Sequence, residues 1–564
     1  MVKKRIDSYI LILKILTHKK IKFFQILLLS AVSAVTSGLS IGLIIPILGG
    51  NDRQIFENTF FKFLDDFINY QFSTDFNEKI IAITLLIIIL SVLELLFSII
   101  IVKIATKYEV DTVTQYLYKV FNKINTTEYK KFYQYNSGEI FTIITVDIFN
   151  FSNLIRRGLL VLQPAILLSI FITVMFSVSP LLTLISVIFF IFVSIIIAGF
   201  LGRKAKLVNA DISLEFVKNN SKLSIFLENF KNLRSMGLEK EETKNLIDSY
   251  KQFVNNRRIY ANFISYSIPV NNFINIFAIA FLLLSSTYIF RRQPTSWTIL
   301  LIPFLVLLFK LLPTVNSINQ YRVLVESMYP FVVRLDKFVN EKSEINDGDK
   351  DFVFKEKIIF DNVSFGYEKN KILNNVNFEI SKGDVVGIIG ETGAGKSTLI
   401  DLMLKIFNKD SGNIFIDKTE IDEIKSESIQ NSVAFLPQNL YMSNDTIEKN
   451  LNLYNDKVDK KNILNLSSFY DENNKQNHIG QGGINLSGGQ KQKINIIRTL
   501  TKDSELLILD EPTNNLDPES IQEMSKIIKD SNSTFLVISH NQQFINLISN
   551  KIYHLKNGEL NKVK

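Results

Sequence analysis

Eight consecutive residues, Gly390-Glu391-Thr392-Gly393-Ala394-Gly395-Lys396-Ser397, have the types and spacing to cradle phosphate. They fit the pattern G-x-x-x-x-G-K-[ST]. The three glycines let successive N–H groups turn inward around phosphate oxygens. The start of the following helix, from Thr398, adds its positive dipole end. Lys396 is placed to reach the outer phosphates, and the Ser397 hydroxyl to bind Mg²⁺. Downstream, the apolar run Leu506-Leu-Ile-Leu-Asp510-Glu511 ends in two carboxylates. Asp510 can complete a Mg²⁺ shell, and Glu511 can polarise an attacking water. Between them, Leu486-Ser487-Gly488-Gly489-Gln490 opens a helical run and offers a second set of N–H groups to phosphate.

These residues need a rigid frame. The run 384–389 reads as a buried strand and 398–405 as a helix, the setting the phosphate motif requires. Residues 352–564 alternate strands and helices throughout, which predicts an α/β domain around a central sheet. The turn-rich stretch 344–349 precedes it and sets a domain boundary near residue 345.

The first half has a different composition. The chain of 564 residues has a mean hydropathy of +0.17 and 45 Phe, too apolar for ordinary soluble cores. Cysteine is absent, which excludes disulfides, zinc–thiolate sites and cysteine nucleophiles. The net charge of +8 belongs with long apolar runs, so Lys and Arg face an anionic membrane surface and no nucleic-acid partner is expected. Six uncharged or nearly uncharged stretches predict spans at about 23–50, 80–104, 158–178, 180–202, 262–290 and 297–318. Ser30, Ala34, Gly38 and Gly42 give the first span a small face for close packing. Residues 1–22 read as a basic interfacial helix and 51–79 as an outer loop holding an amphipathic helix. The basic segments 103–157 and 203–258 are placed in the cytoplasm with both termini. The outer turn at Arg291-Arg292 runs against that rule. Two charges lie inside spans, Glu94 and Lys310, where they are costly; they are candidates for substrate contact.

The order of motifs resembles the ATP-binding cassette transporters, in the exporter half-transporter form. That fold joins an all-α membrane domain of six helices, residues 1–345, to an α/β P-loop ATPase domain, residues 346–564. The resemblance implies ATP and Mg²⁺ as cofactors. It also implies a dimer, in which Ser487–Gln490 of one chain closes on the phosphate loop of another. A homodimer is the simplest assembly; a heterodimer satisfies the same geometry. Further roles carry over by position. Tyr367 matches the aromatic that stacks on adenine, and Gln438 the glutamine that reaches Mg²⁺. Asp517 matches the aspartate coupling the two sites, and His540 the histidine at the γ-phosphate. Tyr129–Phe132 with Gly138, Glu139 and Asp147, and separately 228–239, resemble segments that carry cassette closure to the spans. Gln481 stands where exporters usually have glutamate, and Asn514-Asn515 replaces a commoner Ser-Ala.

The expected activity is ATP-driven export or flipping across the cytoplasmic membrane. The outer amphipathic helix resembles that of lipid-linked oligosaccharide flippases, which favours such a lipid or a related amphiphile over a drug or peptide. A regulator or channel gated by ATP is the alternative of another class; intact Glu511 and His540 argue against it.

Overall fold

The computed structural model describes residues 13–43, 76–132, 135, 137–197, 203–289, 294–341, 347–367, 370–453 and 478–564. Residues 51–75 of the expected outer loop, which were to hold its amphipathic helix, most of the N-terminal interfacial helix and the Arg291-Arg292 turn lie outside these residues. The chain forms two compact units. One is Met1–Asn125 with Gln134–Lys342; the other is Ser343–Lys564 with the segment Thr126–Tyr133. A short piece from the first half thus folds with the second.

The first unit is helical. Its long members are α1 (Lys20–Gly42), α2 (Phe76–Thr126), α5 (Ile148–Leu160), α6 (Leu162–Val178), α7 (Pro180–Ile197), α8 (Arg203–Glu228), α10 (Glu239–Ser265), α11 (Ser267–Ile289) and α12 (Pro294–Asn340). Short α3 (Tyr129–Phe132), α4 (Ser137–Thr142) and α9 (Phe230–Ser235) lie between them. Among the described residues, three helical stretches are long and apolar enough to cross a membrane: Lys20–Ser40, Ile80–Thr126 and Gly138–Ser177. Pro180–Phe189 and Asn272–Thr287 are shorter apolar helices.

Local chemistry explains these elements. Ser and Thr in apolar helices return their hydroxyls to carbonyls four residues back, as Thr84 does to Ile80 and Ser186 to Leu182. Ser179 is extended before Pro180 and separates α6 from α7. Along α1, Ser30 and Ala34 are fully buried, and a Cβ on Gly38 would lie 2.9 Å from Ile170. The small face therefore packs on α6. Gln163 ties three helices together, donating to Ser33 Oγ at 2.8 Å and Ser98 Oγ at 3.1 Å. Nearer the basic segments, Asp147 is fully buried and takes a two-pronged pair from Arg334 at 2.6 and 2.5 Å. Asp147 therefore joins α12 inside the helical unit rather than the segment that folds with the second unit. Phe230–Ser235 forms a short helix within the other predicted transmission segment, 228–239, and buries no residue.

The second unit holds two sheets. An antiparallel sheet runs β2 (Asn370–Ser381), β1 (Lys357–Tyr367), β4 (Ser411–Ile416), β5 (Thr419–Glu420). The larger runs β10 (Glu559–Lys562), β9 (Lys551–Lys556), β3 (Val385–Gly390), β8 (Thr534–Ile538), β7 (Leu506–Asp510), β6 (Val433–Leu436). From β9 to β6 it is parallel, and β10 is antiparallel at its edge. Every residue of β7 and β8 is buried, which accounts for their unbroken apolar runs. The phosphate motif, the paired carboxylates and His540 all follow the carboxyl ends of neighbouring parallel strands, where open α/β sheets place ligands.

Candidate functional site: a phosphate cradle with a carboxylate–histidine pair

The phosphate loop leaves β3 and enters α13 (Lys396–Met403). Gly393 and Gly395 have φ of +84° and +104°, and a Cβ on Gly390 would sit 2.4 Å from the Leu555 carbonyl. The three glycines are thus demanded by backbone shape and close approach. Glu391 and Thr392 are exposed on the loop, Ala394 is half-buried, and Lys396 and Thr398 are buried. Lys396 Nζ donates to the carbonyls of Gly390 at 2.7 Å and Glu391 at 2.9 Å, closing the loop on itself. Burial lowers the Lys396 pKa, against the opposing pull of Glu511 and Asp510.

Ser397 Oγ donates to Asp510 Oδ2 at 3.1 Å. Burial raises the Asp510 pKa; the Ser397 bond lowers it and the neighbouring Glu511 charge raises it again. Lys396 and His540 offset the two adjacent buried carboxylates only in part, and a divalent ion against Ser397 and Asp510 would supply the remaining positive charge. This donor set fits Mg²⁺.

Glu511 has a φ of +51°, and its N–H donates to the Ile538 carbonyl at 2.8 Å. That strained turn aims a carboxylate that is 4% exposed at the residues after β8. The His540 backbone N–H donates to Glu511 Oε2 at 3.2 Å, and His540 Nε2 lies 3.2 Å from Oε1. His540 Nε2 is also 3.5 Å from Thr392 Oγ1, so the histidine bridges the carboxylate and the phosphate loop. Such a pair can orient water toward a phosphate held in the loop.

Other residues predicted from sequence lie further out. Tyr367 ends β1, 40% exposed, with its hydroxyl 3.5 Å from Thr398 Oγ1. Gln438 is exposed in the loop after β6. Ser487 caps α16 (Gly488–Leu500): it accepts from the Gln490 N–H at 3.2 Å while its own N–H donates to Gln490 Oε1 at 2.9 Å. A Cβ on Gly489 would lie 2.7 Å from the Asn515 carbonyl. Among the described residues, no hydrogen bond joins 487–490 to 390–398. Asp517 caps α17 (Pro518–Asp530), accepting from the Ser520 N–H at 2.8 Å, and meets Lys493 at 3.1 Å. The Ser520 backbone and hydroxyl bonds, then Lys493, hold its carboxyl well below the usual carboxylate range. Sequence reasoning missed Gln492, which donates to the Pro512 carbonyl at 3.0 Å and so ties α16 to the stretch carrying Glu511. Nothing in its spacing marked it.

Glu94 is half-buried on α2 and Lys310 exposed on α12; among the described residues neither forms an ion pair. The helical unit has an apolar cavity of about 350 Å³ lined by Leu168, Met175, Ile191, Leu311 and Val315 among others, with Ser186 and Asn319 its polar members.

An apolar helical unit fused to a phosphate-loop domain with a carboxylate–histidine pair defines a membrane protein with a nucleotide-binding cassette. The family models agree: residues 23–311 match the ABC transporter transmembrane region, and 373–514 match the ABC transporter domain. This chain belongs to the ABC transporters and is a multi-pass membrane protein that binds ATP. It is 28% identical over 529 residues to a putative export ATP-binding/permease protein of Rickettsia bellii, covering 90% of this chain and 88% of that one. It is 32% identical over 270 residues to an ATP-dependent lipid A-core flippase of Desulfotalea psychrophila, covering 46% of this chain and 47% of that one. The match therefore spans about half the length of that flippase. A bacterial Atm1-family ABC exporter with ATP bound shares the fold, with a TM-score of 0.80, 18% identity and coverage of 97% and 95%.

Proposed function

We propose that the protein is an ATP-hydrolysing exporter or flippase for an amphiphilic substrate, with a lipid-linked oligosaccharide or another lipid as the favoured cargo. The observation that carries this reading is Glu511 held by His540 beside the Ser397–Asp510 pair. A mere ATP gate has no need of a positioned carboxylate. Gly390–Thr398 and Tyr367 bind the nucleotide, Gln438 reaches Mg²⁺ with Ser397 and Asp510, and Glu511 with His540 orients water. Ser487–Gln490 and Asp517 act on the nucleotide of a second copy, a reading supported by the family resemblance. The working form is a homodimer with six spans per chain in the cytoplasmic membrane. The apolar cavity suits an acyl chain, and Glu94 and Lys310 meet a charged head group. The test is Glu511→Gln in proteoliposomes holding a fluorescent phospholipid. ATP binding is expected to persist while hydrolysis falls at least a hundredfold and ATP-dependent lipid movement stops. Wild-type turnover in that variant would refute the assignment.

A further inference from the structure

The segment Thr126–Tyr133 folds with the cassette although the long helix α2 leads directly into it. Its contact is aromatic. Tyr129 meets Phe407 edge-on, with centroids 5.5 Å apart and planes at 75°. Phe407 in turn meets Tyr367 edge-on at 5.4 Å and 86°. Phe365 braces the group, 5.4 Å from Phe407 and 5.2 Å from Tyr367. Phe407 is 6% exposed, whereas Tyr129 and Tyr367 are 45% and 40% exposed. A buried ring therefore separates two half-open ones: one that would receive a base, and one on the chain leading from a membrane helix.

The backbone around Phe407 is fixed from several sides. It follows α13, the helix that starts at the phosphate loop, and its N–H points back to the Asp401 carbonyl at 3.4 Å. Lys405 turns the chain there with a φ of +51°. Its side chain, 2% exposed, meets Asp347 at 3.1 Å and donates to the carbonyls of Asp422 and Ile424. Asp410 clamps the far side, accepting from the Gly366 N–H at 2.8 Å, the residue next to Tyr367. Asn408 reaches Glu128 at 3.4 Å. Phe407 is thus held in edge contact with Tyr367 on one side and Tyr129 on the other.

We propose that Phe407 is a positioning residue through which the Tyr129 segment reads the base stacked on Tyr367. The membrane helix leaving that segment then responds to a nucleoside triphosphate and not to a bare phosphate chain. This rests on Tyr367 being the base platform. Coupling requires a ligand to distinguish two arrangements. A base on Tyr367 supplies that distinction by selecting the ring orientation Phe407 packs against. Tripolyphosphate fills the same phosphate loop without touching the ring.

The experiment is hydrogen exchange on the full chain in lipid nanodiscs, without Mg²⁺ so that no turnover occurs. Saturating ATP is expected to slow exchange of the Thr126–Tyr133 peptide about two- to tenfold, the range of one aromatic contact. Saturating tripolyphosphate should protect the phosphate-loop peptide and leave Thr126–Tyr133 unchanged. Tyr129→Leu and Phe407→Leu should keep phosphate-loop protection by ATP and lose the response at 126–133, and Phe407→Tyr should restore it. Tyr129 is half-exposed, so its variant tests the idea even where Phe407→Leu fails to fold. Equal protection of 126–133 by tripolyphosphate and ATP, or an undiminished ATP response in Tyr129→Leu, overturns the proposal. Unchanged ATP affinity in Tyr367→Leu would instead refute the base platform itself.

Discussion

Asp401 offers a test of the site's electrostatics that does not depend on transport. It sits on α13, one turn beyond Ser397, and its pKa is raised from 3.8 to about 6 by burial and then by the Asp510 charge. The folded state therefore holds the Asp401 proton more tightly than the unfolded chain does. Below the unfolded value the group is neutral in both states and costs nothing. As pH rises from about 4 through about 6, the unfolded chain ionises freely while the folded carboxylate is penalised. Above that window the penalty is constant. A shift of about two units corresponds to about 3 kcal/mol as an upper bound. Asp401→Asn removes the charge and keeps the shape. For a domain of 150–250 residues, about 3 kcal/mol is roughly 6–12 °C in melting temperature. Thermal unfolding of the full chain in detergent, followed from pH 5 to pH 8, should show the variant gaining several degrees at pH 8 and progressively less toward pH 5. A difference that is independent of pH, or that favours wild type at pH 8, would refute the argument.

Gly489→Ala is expected to lower ATP hydrolysis more than tenfold while ATP affinity holds, because the new Cβ meets the Asn515 backbone carbonyl at 2.7 Å and must displace the cap of α16; turnover and equilibrium binding measured together check this. Lys310→Met is expected to lower amphiphile-stimulated hydrolysis and leave ATP affinity unchanged. If Lys310→Met and Glu94→Gln both transport at wild-type rates, the two charges merely reach the interface along their own stems.

Most of the cassette was legible because its chemistry is local. The phosphate motif carries its own strand, turn and helix, and Asp510 and Glu511 end an apolar run that only a buried strand explains. Apolar runs likewise coincide with the helices α1, α2, α6, α7, α11 and α12, although Glu94 interrupts α2 and Lys310 interrupts α12. What escaped was tertiary. The short segment Tyr129–Phe132 resembles one that carries cassette closure, but its spacing does not say what it meets: Tyr129 packs on Phe407, and Glu128 beside it meets Asn408. Asp147 looked like part of that same segment, but its buried pairing with Arg334 lies 187 residues away in sequence and has no local signature. Gln492 and Lys405 hold carbonyls, and a carbonyl contact leaves no trace in residue spacing.

Because Thr126–Tyr133 completes the second unit, that unit is not a continuous piece of polypeptide. A fragment cut at Ser343 would keep the phosphate loop and both sheets, yet it would leave the Phe407 ring uncovered on the side Tyr129 now occupies. Such a fragment would carry a sticky patch of its own making, and its solubility and self-association would report the cut rather than the native molecule. The missing cover is short enough to be supplied as a synthetic peptide or grafted through a linker, which makes the smallest faithful cassette a two-part object.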